Sequence, residues 1–188
     1  MHITAGKHRK RRIESPDGKD IRPTSSMVRG AIFNVLMHGE PAEGDDTLLP
    51  EQTVADICCG CGTLGLEALS RGAGHVVFVD QNRTSLDLTK SNVAHLGEEE
   101  NASFIKADAT MLPIARERVS VVFLDPPYHK DFPNRMLKSL VKSEWLKPNA
   151  MVVVEQSLND EVPEHPALTL IKQKTYGKTQ LAFYRYAI

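Results

Sequence analysis

A strand, a glycine-rich turn and a helix follow one another in the first half of the sequence, and this order constrains the fold most. Residues 54–58 are mostly apolar and predict a buried strand, and the leucines after the turn predict a helix over residues 63–70. Between them, residues 60–65 match the spacing G-x-G-x-x-G. Gly60 and Gly62 permit a tight turn and a close approach of the backbone to a ligand. The motif alone also fits a turn without a ligand.

Strands and helices continue to alternate after this turn. Apolar, β-branched runs predict strands, and segments with apolar residues at helical spacing predict helices. The predicted strands are residues 75–79, 102–105, 119–124 and 151–155, the predicted helices are 84–96 and 134–141, and the late extended segments are 168–174 and 180–186. This order predicts a three-layer α/β fold with a mostly parallel sheet and an antiparallel carboxyl-terminal hairpin.

Two acidic residues follow predicted strands at the edge where ligands bind in such sheets. Asp80 ends the second strand, where a carboxylate can accept hydrogen bonds from both hydroxyls of a ribose. Asp108 lies just past the third strand, where it can accept from an adenine amino group. Either residue is equally compatible with a turn or a helix cap. Together with the glycine-rich turn, Asp80 indicates a ligand that contains adenosine.

A third acidic residue begins the sequence Asp125-Pro126-Pro127-Tyr128, which stops the strand 119–124. Proline cannot donate to a sheet ladder, so Asp125 is expected at the strand end with its side chain facing out. Asp125 and the carbonyl of Pro126 offer two acceptors for the hydrogens of a nucleobase amine, and Tyr128 offers a flat face for stacking. A strand-ending turn with an exposed tyrosine is the structural alternative.

The positive charge of the chain is concentrated at its amino terminus. Residues 1–22 carry seven Lys and Arg against three acidic residues, whereas the rest of the chain is net negative. The cluster includes Arg9, Lys10, Arg11 and Arg12, which suits nucleic-acid phosphates but is also typical of a solvated tail. Its backbone fits two short strands around a turn or a flexible arm. We expect residues 1–40 to form a basic arm and a helix that starts near Ser26 with Arg29 on its polar side, and residues 41–188 to form the main domain.

The remaining composition is that of a globular cytoplasmic protein. The sequence has no apolar run of about 18 residues and no apolar leader after Met1. Cys58, Cys59 and Cys61 lie too close together for a disulfide framework. With His75 as the lone further candidate ligand, these cysteines favour ordinary thiols over a zinc site, and no metal is expected.

The chemistry of the Asp125 segment separates two adenosine-containing ligands. NAD and S-adenosylmethionine would both satisfy the turn and Asp80. A methyl donor requires an oriented nucleophile, and the amine of a nucleobase is a poor one because its lone pair is delocalised. Acceptors at Asp125 and Pro126 can aim that lone pair and stabilise the developing positive charge.

The motifs resemble those of class I amino-methyltransferases, which have a Rossmann-like fold. The resemblance rests on residues 56–65, Asp80, Asp108 and 125–128. Further segments are similar to the bacterial small-subunit ribosomal RNA guanine-N2 methyltransferases: 22–24, 28–29, 32–34, 66–73, 176–179 and 184–185. Cys58, Cys59 and Cys61 depart from the aromatic and small residues usual at that turn.

The resemblance implies an enzyme that uses S-adenosylmethionine to methylate the N2 amine of one guanine in 16S ribosomal RNA. It implies a monomer whose partner is a partly assembled small ribosomal subunit. The implied cofactor-binding residues are Asp56, Gly60, Gly62, Asp80 and Asp108, and the implied catalytic residues are Asp125, Pro126 and Tyr128. The expected RNA contacts are Arg9, Lys10, Arg11, Arg12, Arg22 and Arg29.

Three other functions compete with this interpretation. A DNA or RNA adenine-N6 methyltransferase uses the same Asp-Pro-Pro-Tyr chemistry, although a DNA enzyme is expected to carry a separate recognition domain. A non-catalytic RNA-binding protein explains the basic arm but not the intact Gly60, Asp80 and Asp125. A NAD-dependent oxidoreductase is the weakest alternative, since no hydride-transfer site is recognisable.

Overall fold

The computed structural model describes residues 1–15, 25–38, 48–126 and 131–187. Four helices and seven strands organise these ranges. The helices are α1 (Ser26–His38), α2 (Thr63–Ser70), α3 (Arg83–Leu96) and α4 (Phe132–Lys142). The strands are β1 (Thr53–Ile57), β2 (His75–Asp80), β3 (Ala102–Lys106), β4 (Val119–Leu124), β5 (Leu146–Ser157), β6 (Leu168–Tyr176) and β7 (Thr179–Tyr186). Two 3₁₀ helices, Glu99–Asn101 and Ala109–Met111, flank β3.

The seven strands form one mixed sheet in the order β3-β2-β1-β4-β5-β7-β6. The first five strands in this order are parallel, and β7 pairs antiparallel with both β5 and β6. This arrangement confirms the predicted mostly parallel α/β sheet with an antiparallel terminal hairpin. The chain reverses its direction of travel across the sheet between β1 and β4, and ligands of such folds bind outside the carboxyl ends of the strands at this switch point.

Helices cover both faces of the sheet, which makes three layers. On one face, Ile32 of α1, Leu66 of α2 and Val93 of α3 belong to one core cluster with Phe123 of β4. On the other face, residues of α4 such as Leu137 pack in a second cluster. The central strands are covered on both sides, which explains their nearly continuous apolar sequences.

The fifth strand starts earlier than the sequence predicted. β5 begins at Leu146 rather than at residue 151, and its pairing with β4 is irregular between Val119 and Val121. Residues 147–149 resemble a loop because they are polar and include a proline, and Asn149 has a left-handed φ of 62°. For this reason the sequence pattern did not predict the first part of β5 as strand.

The amino-terminal segment packs against the body of the protein. His2 and Arg12 form an antiparallel bridge, and Ile3 and Ile13 are buried in the same core cluster as α1. Of the two alternatives left open by the sequence, the structure therefore has a docked turn bounded by extended residues. None of the helices in the described ranges has the length and hydropathy needed to cross a membrane.

Candidate active site

The glycine-rich turn lies between β1 and α2 and depends on left-handed backbone conformations. Gly60 has a φ of 57° and Gly62 a φ of 79°. A Cβ atom at Gly62 would lie 2.6 Å from Cγ2 of Thr89, so α3 leaves no room for a side chain there. A Cβ atom at Gly60 would meet nothing within 4 Å. Gly62 therefore serves close packing, whereas Gly60 exposes the backbone to open space that a ligand can approach.

Asp80 ties the end of β2 to this turn. Its Oδ2 accepts a hydrogen bond from the backbone N–H of Gly60 at 3.0 Å, and its Oδ1 accepts from the N–H of Asn82 at 2.8 Å. The cap of α3 is Asn82, whose side chain accepts from the N–H of Thr84. Asp80 is therefore not the helix cap, and its carboxylate lies beside the exposed backbone of Gly60. Its predicted hydrogen bonds to a ribose stay a prediction.

Asp56 lies in β1 beneath the turn. It is only 2 % exposed, and its Oδ2 accepts a hydrogen bond from the backbone N–H of Gly65 at 2.8 Å. Burial raises the pKa of Asp56 to about 8; the bond from Gly65 opposes this shift, and the charges of Asp125 and Asp80 add to it. Asp56 thus holds the start of α2 against β1. Direct contact between Asp56 and a cofactor stays a prediction.

Asp108 follows β3 and caps the short helix Ala109–Met111. Its Oδ1 accepts hydrogen bonds from the N–H and the Oγ1 of Thr110, each at 2.8 Å. These bonds from Thr110 hold the pKa of the exposed Asp108 carboxyl below its usual value. Asp108 is therefore a cap in this structure, and contact with an adenine remains a prediction for its remaining acceptor positions.

Asp125 lies at the carboxyl end of β4, directly beside the end of β1. Its backbone N–H donates to the carbonyl of Ile57 at 3.5 Å. Asp125 is half-buried, and Pro126 is buried. Tyr128, the third expected catalytic residue, lies outside the described residues. The structure therefore places Asp125 next to the glycine-rich turn, as the order of the motifs predicted.

The carboxyl edge of the sheet carries a concentration of negative charge. Burial raises the pKa of the Cys58 thiol, which follows β1, and nearby carboxyl groups raise that pKa further. These carboxylates belong to Asp80, Asp125, Asp56 and Asp108. Four acidic side chains therefore lie near Cys58, and Asp56 contributes little of the negative charge at neutral pH because its pKa is about 8.

The three cysteines at this turn are free thiols rather than a built metal centre. Cys59 and Cys61 are buried, Cys58 is partly buried, and burial is the largest factor raising the pKa of each thiol. Within the described ranges, no three His, Cys, Asp or Glu side chains are grouped so as to hold a metal ion. Thiols held protonated are poor metal ligands and poor nucleophiles.

Two acceptors hold the basic amino-terminal turn on the body. Ser70, at the end of α2, accepts from the N–H of Lys7 through its carbonyl at 2.7 Å and from the N–H of His8 through Oγ at 3.0 Å. Glu98, after α3, pairs with Nζ of Lys7 at 2.7 Å and with the ring of His8. Burial raises the pKa of Glu98, but hydrogen bonds from Lys7, Asn101 and His8 outweigh it and keep that pKa below its usual value.

The remaining cations of this turn face solvent. These exposed residues are Arg9, Lys10, Arg11 and Arg12. The turn docks at the carboxyl-terminal ends of α2 and α3, whereas the glycine-rich turn lies at the other end of α2, roughly 12 Å away for a helix of this length. An open groove of about 320 Å³ runs beside α3, lined by Arg12, Glu14, Ser91, Asn92 and His95. Asn92 also donates to the carbonyl of Cys61 in the glycine-rich turn.

Arg29 was expected to contact RNA, and the structure corrects this expectation. Arg29 is 2 % exposed, and its guanidinium donates to the carbonyl of His2 at 2.9 Å and lies 3.9 Å from Glu67. Burial lowers the pKa of Arg29, and Glu67 opposes this shift. The amino-terminal segment covers the face of α1 that the helical pattern marked as polar. Arg22, another expected RNA contact, lies outside the described residues.

Two carboxylates with structural importance were missed from the sequence. Glu67 in α2 is fully buried and accepts hydrogen bonds from the backbone N–H groups of Thr4 and Ala5. Glu155 in β5 is 6 % exposed and follows the last residue of β5 that pairs with β4, as Asp125 follows the last paired residue of β4. The signal for Glu155 was present, since it directly follows four apolar residues of a predicted parallel strand.

Known proteins match this chain over almost its whole length. The family described as conserved hypothetical protein 95 matches residues 1–185. The chain is 31 % identical to ribosomal RNA small subunit methyltransferase D of Haemophilus influenzae, covering 98 % of this chain and 93 % of that protein. It is also 31 % identical to the putative rRNA methyltransferase YlbH of Bacillus subtilis, with 98 % of each chain covered. The solved structure of the putative methyltransferase yhhF from Escherichia coli has a TM-score of 0.85 at 27 % identity, covering 100 % of this chain and 98 % of that one. These matches confirm the resemblance to small-subunit ribosomal RNA methyltransferases.

Proposed function

We propose that this chain, which belongs to the family described as conserved hypothetical protein 95, methylates the N2 amine of a guanine in 16S ribosomal RNA and uses S-adenosylmethionine as the methyl donor. Methylation of ribosomal RNA is supported by the full-length relatives that carry this activity in their names. The choice of guanine N2 rests on the motif resemblance.

The observation that carries the proposal is the group of acidic side chains near the glycine-rich turn: Asp80, which accepts from the N–H of Gly60, Asp125, whose backbone N–H donates to the carbonyl of Ile57, and Asp108. S-adenosylmethionine has a positive sulfonium and an ammonium group, so the negative field of this edge favours it. The pyrophosphate of NAD carries negative charge and would be repelled by the same groups. The chemistry of this edge therefore fits the methyl donor better than a dinucleotide.

The described residues can hold such a donor at defined positions. Gly60 offers exposed backbone at the turn, and the Asp80 carboxylate beside it has lone pairs left for ribose hydroxyls. When bound there, the donor supplies an electrophilic methyl group. The residues of the chain contribute binding and orientation, which suits a transfer that needs an aligned nucleophile.

Asp125 and Pro126 serve the nucleophile. Asp125 lies at the end of β4, next to β1 and the turn, so an amine held by its carboxylate lies beside the donor position. The carbonyl of Pro126 is proposed as the second acceptor for the amine. The two acceptors stabilise the positive charge that develops on the nitrogen, and the Asp125 carboxylate can then accept the proton that the amine must lose. Tyr128 is proposed to stack on the base.

The basic turn provides a second contact for RNA away from the chemistry. Arg9, Lys10 and Arg12 are exposed on the basic turn, and Arg12 also lines the groove beside α3. A structured RNA can therefore place phosphates on the turn while one splayed base reaches the strand edge. This arrangement supports an RNA substrate within an assembling small subunit.

The role of Asp125 is tested by separating turnover from donor binding. We expect Asp125→Ala to abolish methyl transfer to RNA while donor affinity, measured by calorimetry, stays within a few-fold of the wild type. The control is Asp87→Ala, which removes an exposed carboxylate from α3 and should leave both quantities unchanged. Equal losses of turnover and donor affinity in Asp125→Ala would place this residue in the donor pocket and reject the proposed role.

A further inference from the structure

Glu155 lies beside Asp125 at the carboxyl edge of the sheet. β4 and β5 are parallel, and their last paired residues are Leu124 and Val154. The next residue on each strand is Asp125 and Glu155, so their backbones lie roughly 5 Å apart, the spacing of adjacent strands.

The two carboxylates also share one face of the sheet. Phe123 and Val153, two residues earlier on each strand, both belong to the core cluster beneath α1, α2 and α3. Because side chains alternate along a strand, Asp125 and Glu155 project toward this same face. Asp56 is paired with Phe123 and belongs to the same side, which is the side of the glycine-rich turn. Glu155 is 6 % exposed, so its carboxylate acts with little screening by water.

Nucleobases with an exocyclic amine differ in the atom next to that amine. In guanine, the ring nitrogen N1 beside the N2 amine carries a hydrogen. In adenine and cytosine, the corresponding ring nitrogen carries a lone pair. A carboxylate beside the amine acceptor therefore attracts guanine and repels the other two bases.

We propose that Glu155 is the residue that selects guanine, by accepting a hydrogen bond from its N1–H while Asp125 and Pro126 hold the N2 amine. This inference rests on the proposed methylation of a guanine amine and names the group that reads the rest of the base edge. Selection includes rejection, because adenine or cytosine would place a lone pair against a buried carboxylate. Asp125 and Pro126 can hold any planar amine, and Glu155 supplies the distinction between guanine and the other bases that these two residues lack.

The experiment changes the N1–H of the base that Glu155 is proposed to recognise. Two small-subunit RNAs are prepared by ligation, with either guanine or 2-aminopurine at the nucleotide that the wild-type enzyme methylates. 2-Aminopurine keeps the 2-amine but has a lone pair at N1 and lacks the 6-oxo group, so the effect of Glu155 is read from how a change at this residue alters the guanine to 2-aminopurine ratio. We expect the kcat/KM of the wild type to fall roughly 10- to 100-fold on 2-aminopurine, as for the loss of a charged hydrogen bond.

The variant Glu155→Gln should change this preference rather than general activity. Its amide can donate to the N1 lone pair, so the guanine to 2-aminopurine ratio should fall at least 10-fold relative to the wild type. The control is Glu161→Gln, an exposed position after the same strand, which should keep the wild-type ratio. A purely structural role for Glu155 would lower both rates equally and leave the ratio unchanged, which would overturn the inference.

The wild-type enzyme alone also decides the question if Glu155→Gln fails to fold. Equal methylation of guanine and 2-aminopurine by the wild type would overturn the inference and leave the proposed function intact. Absence of any methylation of guanine in the RNA would instead overturn the proposed function, and the inference with it. The affinity of Glu155→Gln for S-adenosylmethionine, measured by calorimetry, identifies a folded variant.

Discussion

Replacing Asp56 by asparagine should remove a pH dependence from the stability of the protein. Burial raises the pKa of Asp56 to about 8 in the folded protein, whereas an unfolded chain has a value of about 3.9. A carboxyl with a raised pKa binds its proton more tightly when folded. Its contribution to stability is therefore fully present below about pH 4 and is lost as the pH rises toward 8.

The size of the effect follows from this difference in pKa. Each pH unit between the two values costs about 1.4 kcal/mol, so the free energy of unfolding should fall by roughly 2 kcal/mol between pH 6 and pH 8 because of this group. Asparagine carries no charge at either pH and keeps an oxygen for the N–H of Gly65. The difference in stability between Asp56→Asn and the wild type should therefore become about 2 kcal/mol more favourable to the variant at pH 8.

Urea denaturation at pH 6 and pH 8 measures this difference through the midpoint and slope of each transition. Asp87→Asn is the matched control, since Asp87 is an exposed carboxylate in α3, and its effect should stay below about 0.5 kcal/mol at both pH values. If Asp56→Asn and the wild type lose stability in parallel between the two pH values, the raised pKa assigned to Asp56 is wrong.

Three further substitutions test the donor site and the basic turn. Asp80→Ala should weaken donor binding by about 1–3 kcal/mol in calorimetry, because it removes a charged hydrogen-bond acceptor, and an unchanged dissociation constant would refute the assignment. Replacing the four exposed cations with glutamine should weaken RNA binding and reduce the slope of log K against log salt by roughly 0.7–0.9 for each lost phosphate contact; an unchanged slope would show that the turn does not bind phosphate. The four cations are Arg9, Lys10, Arg11 and Arg12. Arg29→Gln should lower the free energy of unfolding by about 1–3 kcal/mol in urea denaturation, because the carbonyl of His2 loses its charged donor while Glu67 keeps Arg71, and should leave the salt slope of the folded protein unchanged. A stable variant with a reduced slope would restore Arg29 as an RNA contact.

The order of elements and the strand-end carboxylates could be predicted because both depend on local patterns. Apolar runs identified β2 and β4, and the glycines identified the turn before α2, whose bounds Thr63–Ser70 agree with the prediction. The positions of Asp80 and Asp125 could be predicted in the same way, since the carboxyl end of a parallel strand lies at the edge of the sheet where ligands bind.

The docking of the amino-terminal turn could not be predicted because its contacts join distant parts of the chain. Glu67 accepts from the N–H of Thr4 across 63 positions, and His8 pairs with Glu98 across 90. The helical pattern correctly located α1, but it assigned Arg29 to the polar face because this covering segment leaves no periodic signal. Local sequence patterns therefore could not predict that Arg29 is buried by a distant segment of the chain.

The identity of the methylated nucleoside tests the central claim most directly. Purified enzyme and labelled S-adenosylmethionine are incubated with small ribosomal subunits and with naked 16S ribosomal RNA, both from cells that lack the gene. The RNA is digested to nucleosides, and the labelled product is identified by mass spectrometry. The account predicts N2-methylguanosine at one position, in the RNA or in the subunits. Label found only in methyladenosine would contradict it.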